Sequence, residues 1–351
     1  KNIQFQNSKG QDISALIDFP ANGKARHFAI FAHCFTCNKN LNAIRTISRV
    51  MSMHQIAVLS FDFTGLGQSE GDFSDTNFTT NIKDLLAASN YLKEHYQEPD
   101  LLIGHSLGGA GVLSYASKIE NIKAVAAIGA PSHPEHIKKL FEDKAQEIEN
   151  SGEAEVNIGG RPFKITQQLL KDVESIDYSF RKKSIQPSLL ILHSPQDSIV
   201  GIDNAREIYE KARHPKSFIS LDGADHLLSN KDDAQYTAEV IAHWSERYLK
   251  KFEKEELKSL LQVAVRTHSD SFTTEVSNGR HSITADEPKD VGGNDFGPTP
   301  YDLLLSALGT CTSMTLKMYL DRKEWSYKSI EVHLSHEHKH SEDAKNAENP
   351  S

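Results

Sequence analysis

Nine residues, Leu101-Leu102-Ile103-Gly104-His105-Ser106-Leu107-Gly108-Gly109, constrain the fold of this chain most. A short apolar run leads into Gly-x-Ser-x-Gly, and a helix of small residues, Ala110 to Ala116, follows at once. This is the strand–turn–helix context in which a serine is held on a sharp turn with its hydroxyl exposed. Glycine suits positions 104 and 108, because a side chain at either would collide with the adjacent strand or helix.

The residues before and after this turn set its context. Apolar runs at Ile13 to Phe19, His27 to Ala32, Ile56 to Phe61, Leu101 to Ile103, Ala124 to Ile128, Ser188 to Leu192 and Ser217 to Leu221 read as strands. Thr79 to His95 has helical spacing, with Ile82, Leu85, Leu86, Ala88 and Leu92 on one face, and Ala234 to Lys250 reads as an amphipathic helix. Strands alternating with helices predict an α/β fold over residues 1–250, with a mostly parallel sheet covered by helices on both faces. Residues 132–183 interrupt the alternation. They read as a helix from Glu135 to Ile148, a hairpin around Gly159-Gly160 and a second helix from Ile165 to Ile176, a lid insertion after the sixth strand.

Residues 251–258 are charged and read as a linker. Residues 259–351 then change pattern to a smaller α+β domain, as expected for a chain of 351 residues. Leu260 to Val265 and Thr273 to Val276 read as strands, with turns at Asn278-Gly279 and Gly292-Gly293. A long helix follows from Thr299, the N-cap, or Pro300, the first helical position, to about Leu320. Ile330 to His340 reads as a further strand, with His336, His338 and His340 on one face; no carboxylate or cysteine is placed to complete a metal site there.

A net charge of −9 argues against a nucleic-acid partner and against attraction to an anionic membrane. No apolar run approaches the ~20 residues needed to span a bilayer. The start, Lys1-Asn2-Ile3-Gln4-Phe5, lacks the apolar core of a signal peptide, and three cysteines make no disulfide framework. The expectation is a cytoplasmic protein with reduced thiols.

A serine becomes a nucleophile when a base takes its proton and a carboxylate orients that base. The partners of Ser106 are expected in loops after later strands, acid first and histidine second. Asp197 follows the run Leu189 to Leu192, and His226 follows Phe218 to Leu221. Asp225 and Asp222 are rival acids, poorly placed by their closeness to His226 in sequence. The developing oxyanion requires two donors: the N–H of Leu107, and one from the loop Ala32-His33-Cys34-Phe35-Thr36-Cys37, for which Phe35 is favoured. Cys34-x-x-Cys37 has no second cysteine pair with which to bind zinc. No metal or organic cofactor is expected.

With these residues, and with Asp62-Phe63-Thr64-Gly65-Leu66-Gly67-Gln68-Ser69 after the fourth strand, residues 1–250 resemble the α/β-hydrolase superfamily. The resemblance implies that Ser106, Asp197 and His226 form its triad. It implies a serine carboxylesterase acting on a small-molecule ester, with short acyl chains the first expectation. The lid hairpin and Gly223-Ala224-Asp225-His226 resemble cinnamoyl and feruloyl esterases, which makes aryl-acid esters the alternative. Gly297-Pro298-Thr299-Pro300-Tyr301-Asp302-Leu303 through Cys311 resembles the central helix of OsmC/Ohr-type proteins, over a stretch shorter than that family has. That likeness implies either a thiol peroxidase using Cys311 or a homodimer formed through this domain. Tyr301 stands where the peroxidases carry glutamate, and a lone mid-helix thiol is more often a buried core residue than a nucleophile.

Overall fold

A computed structural model of the chain describes residues 1–20, 25–34, 38–116, 121–133, 144–158, 161–169, 172, 187–250, 257, 261–267, 269 and 271–336. The chain divides into two compact units, Lys1–Glu253 and Lys254–Ser351.

The first unit begins β1 (Asn2–Gln6), β2 (Asp12–Asp18), β3 (His27–Ala32), α1 (Asn42–Met53), β4 (Ile56–Phe61), α2 (Phe78–His95), β5 (Leu101–His105) and α3 (Leu107–Ala116). It continues β6 (Ala124–Ile128), α4 (Ala145–Ser151), β7 (Glu153–Ile158), β8 (Arg161–Thr166), β9 (Ser188–His193), α5 (Asp203–Lys211), β10 (Lys216–Ser220) and α6 (Lys231–Glu246). Eight strands form one sheet in the order β1-β2-β4-β3-β5-β6-β9-β10. β2 pairs antiparallel with β1 and β4; the other neighbours run parallel.

Every residue of β3, β4, β5, β6 and β9 is buried, which is why these strands read as continuous apolar runs rather than alternating ones. Alternate side chains feed two cores. On one face Ile30, Leu102, Val125 and Ile191 meet Leu85, Ala88 and Leu92 of α2, Val112 and Leu113 of α3, and Ile208 of α5. On the other, Phe31, Val58, Ile103 and Leu190 meet Ile44, Ile47 and Met51 of α1 and Ala238, Ile241 and Ala242 of α6.

The lid is a two-stranded antiparallel sheet of β7 and β8 preceded by α4, which ends at Gly152 in the left-handed conformation (φ 80°). It buries Ile148, Ala154, Val156, Ile165 and Leu169 against Phe78, Leu107 and Ala110. Phe163 meets Phe73 edge to face, with ring centroids 5.0 Å apart. Two sequence expectations change here. β8 extends to Thr166, so Ile165 and Thr166 belong to a strand and not to a second helix; pairing of Ala154 with Ile165 buries both side chains. Of the predicted helix from Glu135, residues 144–148 are described, and the helix runs on to Ser151. Gly159-Gly160 and all of 173–183 lie outside the described residues.

The second unit has a three-stranded antiparallel sheet, β11 (Ala264–Thr267), β12 (Thr274–Ser277) and β13 (Ser282–Ala285). Asn278-Gly279 makes the β12–β13 turn, with Gly279 at φ 82° and Asn278 Oδ1 accepting from the N–H groups of Arg280 and His281. Arg266 and Glu275 lie directly opposite across β11–β12 and pair at 2.6 Å. Helix α7 (Pro300–Arg322) follows, closed at its start by a reciprocal cap between Thr299 and Asp302, with Pro300 in the first turn.

Three expectations for this region are corrected. Residues 330–336 form no strand, since no neighbouring strand among the described residues pairs with them; His338 and His340 lie outside those residues. Cys311 is exposed, not a core thiol. And α7 is, by length and composition, apolar enough to cross a membrane. Its interleaved Ser, Thr, Gly and Cys residues hide that in a search for unbroken apolar runs. Of the predicted linker 251–258, only Leu257 is described.

Candidate active site

In the first unit the sheet order reverses between β3 and β5, so the loops leaving their carboxyl ends diverge and open a crevice. The predicted residues gather there. Ser106 is the residue between β5 and α3, at φ +55°. That left-handed backbone is costly for a residue with a side chain and persists only where the surroundings impose it. Here they do: the Ser106 N–H donates to Ile128 O at 2.8 Å. The two motif glycines permit the approach. A Cβ on Gly104 would stand 2.4 Å from Gly108 O, and one on Gly108 would stand 2.3 Å from Ala32 O and 2.4 Å from His33 O.

His226 reaches this serine from the loop after β10. The Ser106 hydroxyl donates to His226 Nε2 at 3.0 Å, and His226 Nδ1–H donates to Asp197 Oδ2 at 2.7 Å. Asp197 Oδ1 accepts from the N–H groups of Ile199 and Val200, both at 2.8 Å. Burial pushes the Asp197 carboxyl up, but the hydrogen bonds from His226, Val200 and Ile199 outweigh it and hold the group below its ordinary range. The rival acids are engaged elsewhere: Asp225 accepts from Ser229 N and Asp222 from Ser220 Oγ.

Three further side chains brace the loops, and spacing gave no warning of them. His105 Nε2–H donates to the His226 carbonyl at 2.6 Å, and burial pushes the His105 imidazole down to about 3, so it stays neutral beside the His226 ring. His193, also held down by burial, donates to Val200 O at 2.7 Å in the acid loop. Gln196 Oε1 accepts from Gly223 N at 2.7 Å and ties the acid loop to the base loop. These contacts join residues far apart in sequence, and no local pattern announces them.

Leu107 opens α3, and first-turn amides have no acceptor within their own helix. Its N–H is therefore placed as a donor beside Ser106. Phe35, the other predicted donor, lies outside the described residues, as do Thr36 and Cys37. Cys34 is buried and disulfide-bonded, which departs from the reduced thiols expected of this chain. Next to the turn, a small cavity of about 10 Å³ lies among Phe63, Leu66, Phe73, Phe78 and Leu107. It holds about one water. Among the described residues no group of three or more His, Cys, Asp or Glu side chains is placed to hold a metal ion.

A parallel sheet with a serine on a strained strand–helix turn, and with its partners on the loops after β9 and β10, defines an α/β hydrolase; the chain belongs to this superfamily and carries an OsmC-like domain after it. Residues 31–142 match the family described as serine aminopeptidase, S33, and residues 292–348 match OsmC-like protein. The esterase domain of a Rhodothermus marinus protein is 46% identical, with a TM-score of 0.59, and the match covers 71% of this chain and 98% of that one. Est1E from Butyrivibrio proteoclasticus, solved with ferulic acid, shares the fold at 20% identity and a TM-score of 0.58, over 70% of this chain and 98% of that one. Human palmitoyl-protein thioesterase ABHD10, mitochondrial, is 25% identical over 191 residues, 51% of this chain. The chain spans 60% of the length of that curated relative.

Proposed function

We propose that the first unit is a serine carboxylesterase for short acyl esters. The hydrogen-bonded relay from Ser106 through His226 to Asp197 carries this reading. Ser106 Oγ attacks the acyl carbon while His226 Nε2 takes its proton. Asp197 keeps the Nδ1 proton facing it and balances the imidazolium charge. The oxyanion is held by the Leu107 N–H and by a second N–H, assigned to Phe35. His226 then returns the proton to the leaving alcohol, and water cleaves the acyl-enzyme by the same route in reverse. A fluorophosphonate probe should label Ser106 alone, as read by peptide mapping. Labelling elsewhere, or none, would refute the reading. A series of p-nitrophenyl esters should peak at two to four carbons; a peak at an aryl acid or beyond about ten carbons would refute the short-acyl part.

For the second unit the proposal is homodimerisation rather than peroxide chemistry. Helix α7 exposes Leu304, Leu308, Met314 and Met318, a face of the kind that a second copy covers. Tyr301, at the position where the peroxidases carry glutamate, stacks on His336 at 4.8 Å. Sedimentation should give twice the chain mass, and hydroperoxide should not be consumed. A monomer, or peroxide turnover lost in Cys311→Ser, would reverse this assignment.

A further inference from the structure

One buried ion pair has no part in the proton relay. Lys39 and Asp62 meet at 2.6 Å with side chains only 4% and 1% exposed. Burying an ion pair is a poor route to stability, because lost hydration offsets most of the attraction and apolar replacement of both partners is often neutral or stabilising. What such a pair does supply is geometry. Asp62 Oδ1 accepts from the Lys39 backbone N–H at 2.7 Å, and Oδ2 accepts from Lys39 Nζ at 2.6 Å and from the Gln68 N–H at 3.0 Å. Lys39 Nζ donates further to Ser14 Oγ at 2.9 Å and Gln68 Oε1 at 3.0 Å. Both the backbone and the side chain of Lys39 are thus fixed to one carboxylate. The turn after β4 closes over that carboxylate so tightly that a Cβ on Gly67 would lie 2.3 Å from it.

Lys39 bounds the far side of the loop that leaves β3. The near side, at Ala32 and His33, packs directly on Gly108 in the serine turn. His33 is neutral there: burial pushes its imidazole down, its Nδ1–H donates to Cys34 O at 2.7 Å, and its Nε2 accepts from Phe63 N at 3.4 Å. The loop is therefore anchored at both ends, on the serine turn and on Asp62.

We infer that the Lys39–Asp62 pair is a positioning device for the loop that leaves β3, fixing its far end to the turn after β4 while its near end packs on the Ser106 turn, and acting on turnover rather than on substrate affinity. The inference rests on the serine-esterase reading above. Removing one partner alone would leave a buried charge uncompensated, so the informative variant is the double substitution Lys39→Met with Asp62→Leu. With p-nitrophenyl acetate its kcat should fall about 10–100-fold while KM stays within about two-fold, as expected for a displaced oxyanion donor. The rate of fluorophosphonate labelling should fall in the same proportion; the melting temperature falls as well, because the Lys39 and Gln68 N–H groups lose their acceptor. Gln68→Ala keeps the pair but removes one anchor of Nζ; kcat should fall about 2–5-fold at unchanged KM, and it decides the matter if the double variant does not fold. Wild-type kcat in the folded variants, or a raised KM at constant kcat, overturns the inference. If Ser106 is labelled in the wild type and the variants turn over normally, only the pair's role fails. If the wild type is not labelled at Ser106, the esterase reading fails and the inference falls with it.

Discussion

Helix α3 and helix α7 are both apolar, and the two units treat them in opposite ways. All ten residues of α3 are buried, enclosed by the sheet, by α2 and by the lid; of the 23 residues of α7 none is. The first unit meets its own hydrophobic demand, since sheet, helices and lid close on each other. The second leaves its longest helix uncovered among the described residues. Composition determines how much surface a helix wants to bury, but only the surrounding elements determine whether that demand is met within the unit.

The contrast predicts that chemistry and self-sufficiency reside in the first unit and association in the second, and it can be broken in order of expected effect. Ser106→Ala should cut ester turnover by at least about 10⁴-fold without unfolding the protein; near-normal turnover would remove the catalytic half of the contrast. Asp197→Asn should cost about 10³–10⁴-fold in kcat at pH 7, through the wrong imidazole tautomer, with KM little changed.

A third test concerns stability. His105 is neutral when folded, with its pKa pushed down to about 3, while the unfolded chain takes up a proton near the ordinary histidine value. Its contribution is therefore complete above pH 6.5 and is lost as pH falls toward 3, at up to roughly 1.4 kcal/mol per pH unit. Asp84 works in the other direction. Burial pushes it up to about 6, so it favours the folded state as pH falls from 6 to 4. The difference between wild type and His105→Gln isolates the histidine: melting temperatures from pH 7.5 to 4.5 should converge as pH falls. Parallel curves would show that His105 is protonated in the fold.

Deletion from residue 254 onward should turn the dimer into a monomer of the shortened chain in sedimentation, while kcat/KM changes less than about two-fold. Loss of esterase activity on that deletion would show the units to be interdependent. The smallest effect belongs to Cys311→Ser, which should leave ester hydrolysis unchanged.

Much of the first unit was legible because parallel strands buried on both faces leave unbroken apolar runs. Ser106 and Asp197 follow such runs; His226 follows β10, a half-buried edge strand with a shorter apolar signal. β1, α1 and α5 were not read. β1 is five residues laced with Asn and Gln; α1 carries Arg, Ser and Thr between its apolar positions; α5 is mostly charged. Residues 330–336 misled in the opposite sense, because alternation records a preference for a pleated surface and not the presence of a neighbour with which to pair. The bracing by His105, His193, Gln196 and Lys39 was invisible, since each contact depends on tertiary placement. Asp62 was singled out only as part of a turn motif, without its partner.

The roof over α3 has a consequence for traffic. Lifting the β7–β8 hairpin away would wet the part of α3 that carries Leu107 and Ala110, the first of them next to Ser106. A hinged door is therefore an expensive way to admit substrate. A route that leaves the hairpin in place keeps that face of α3 dry.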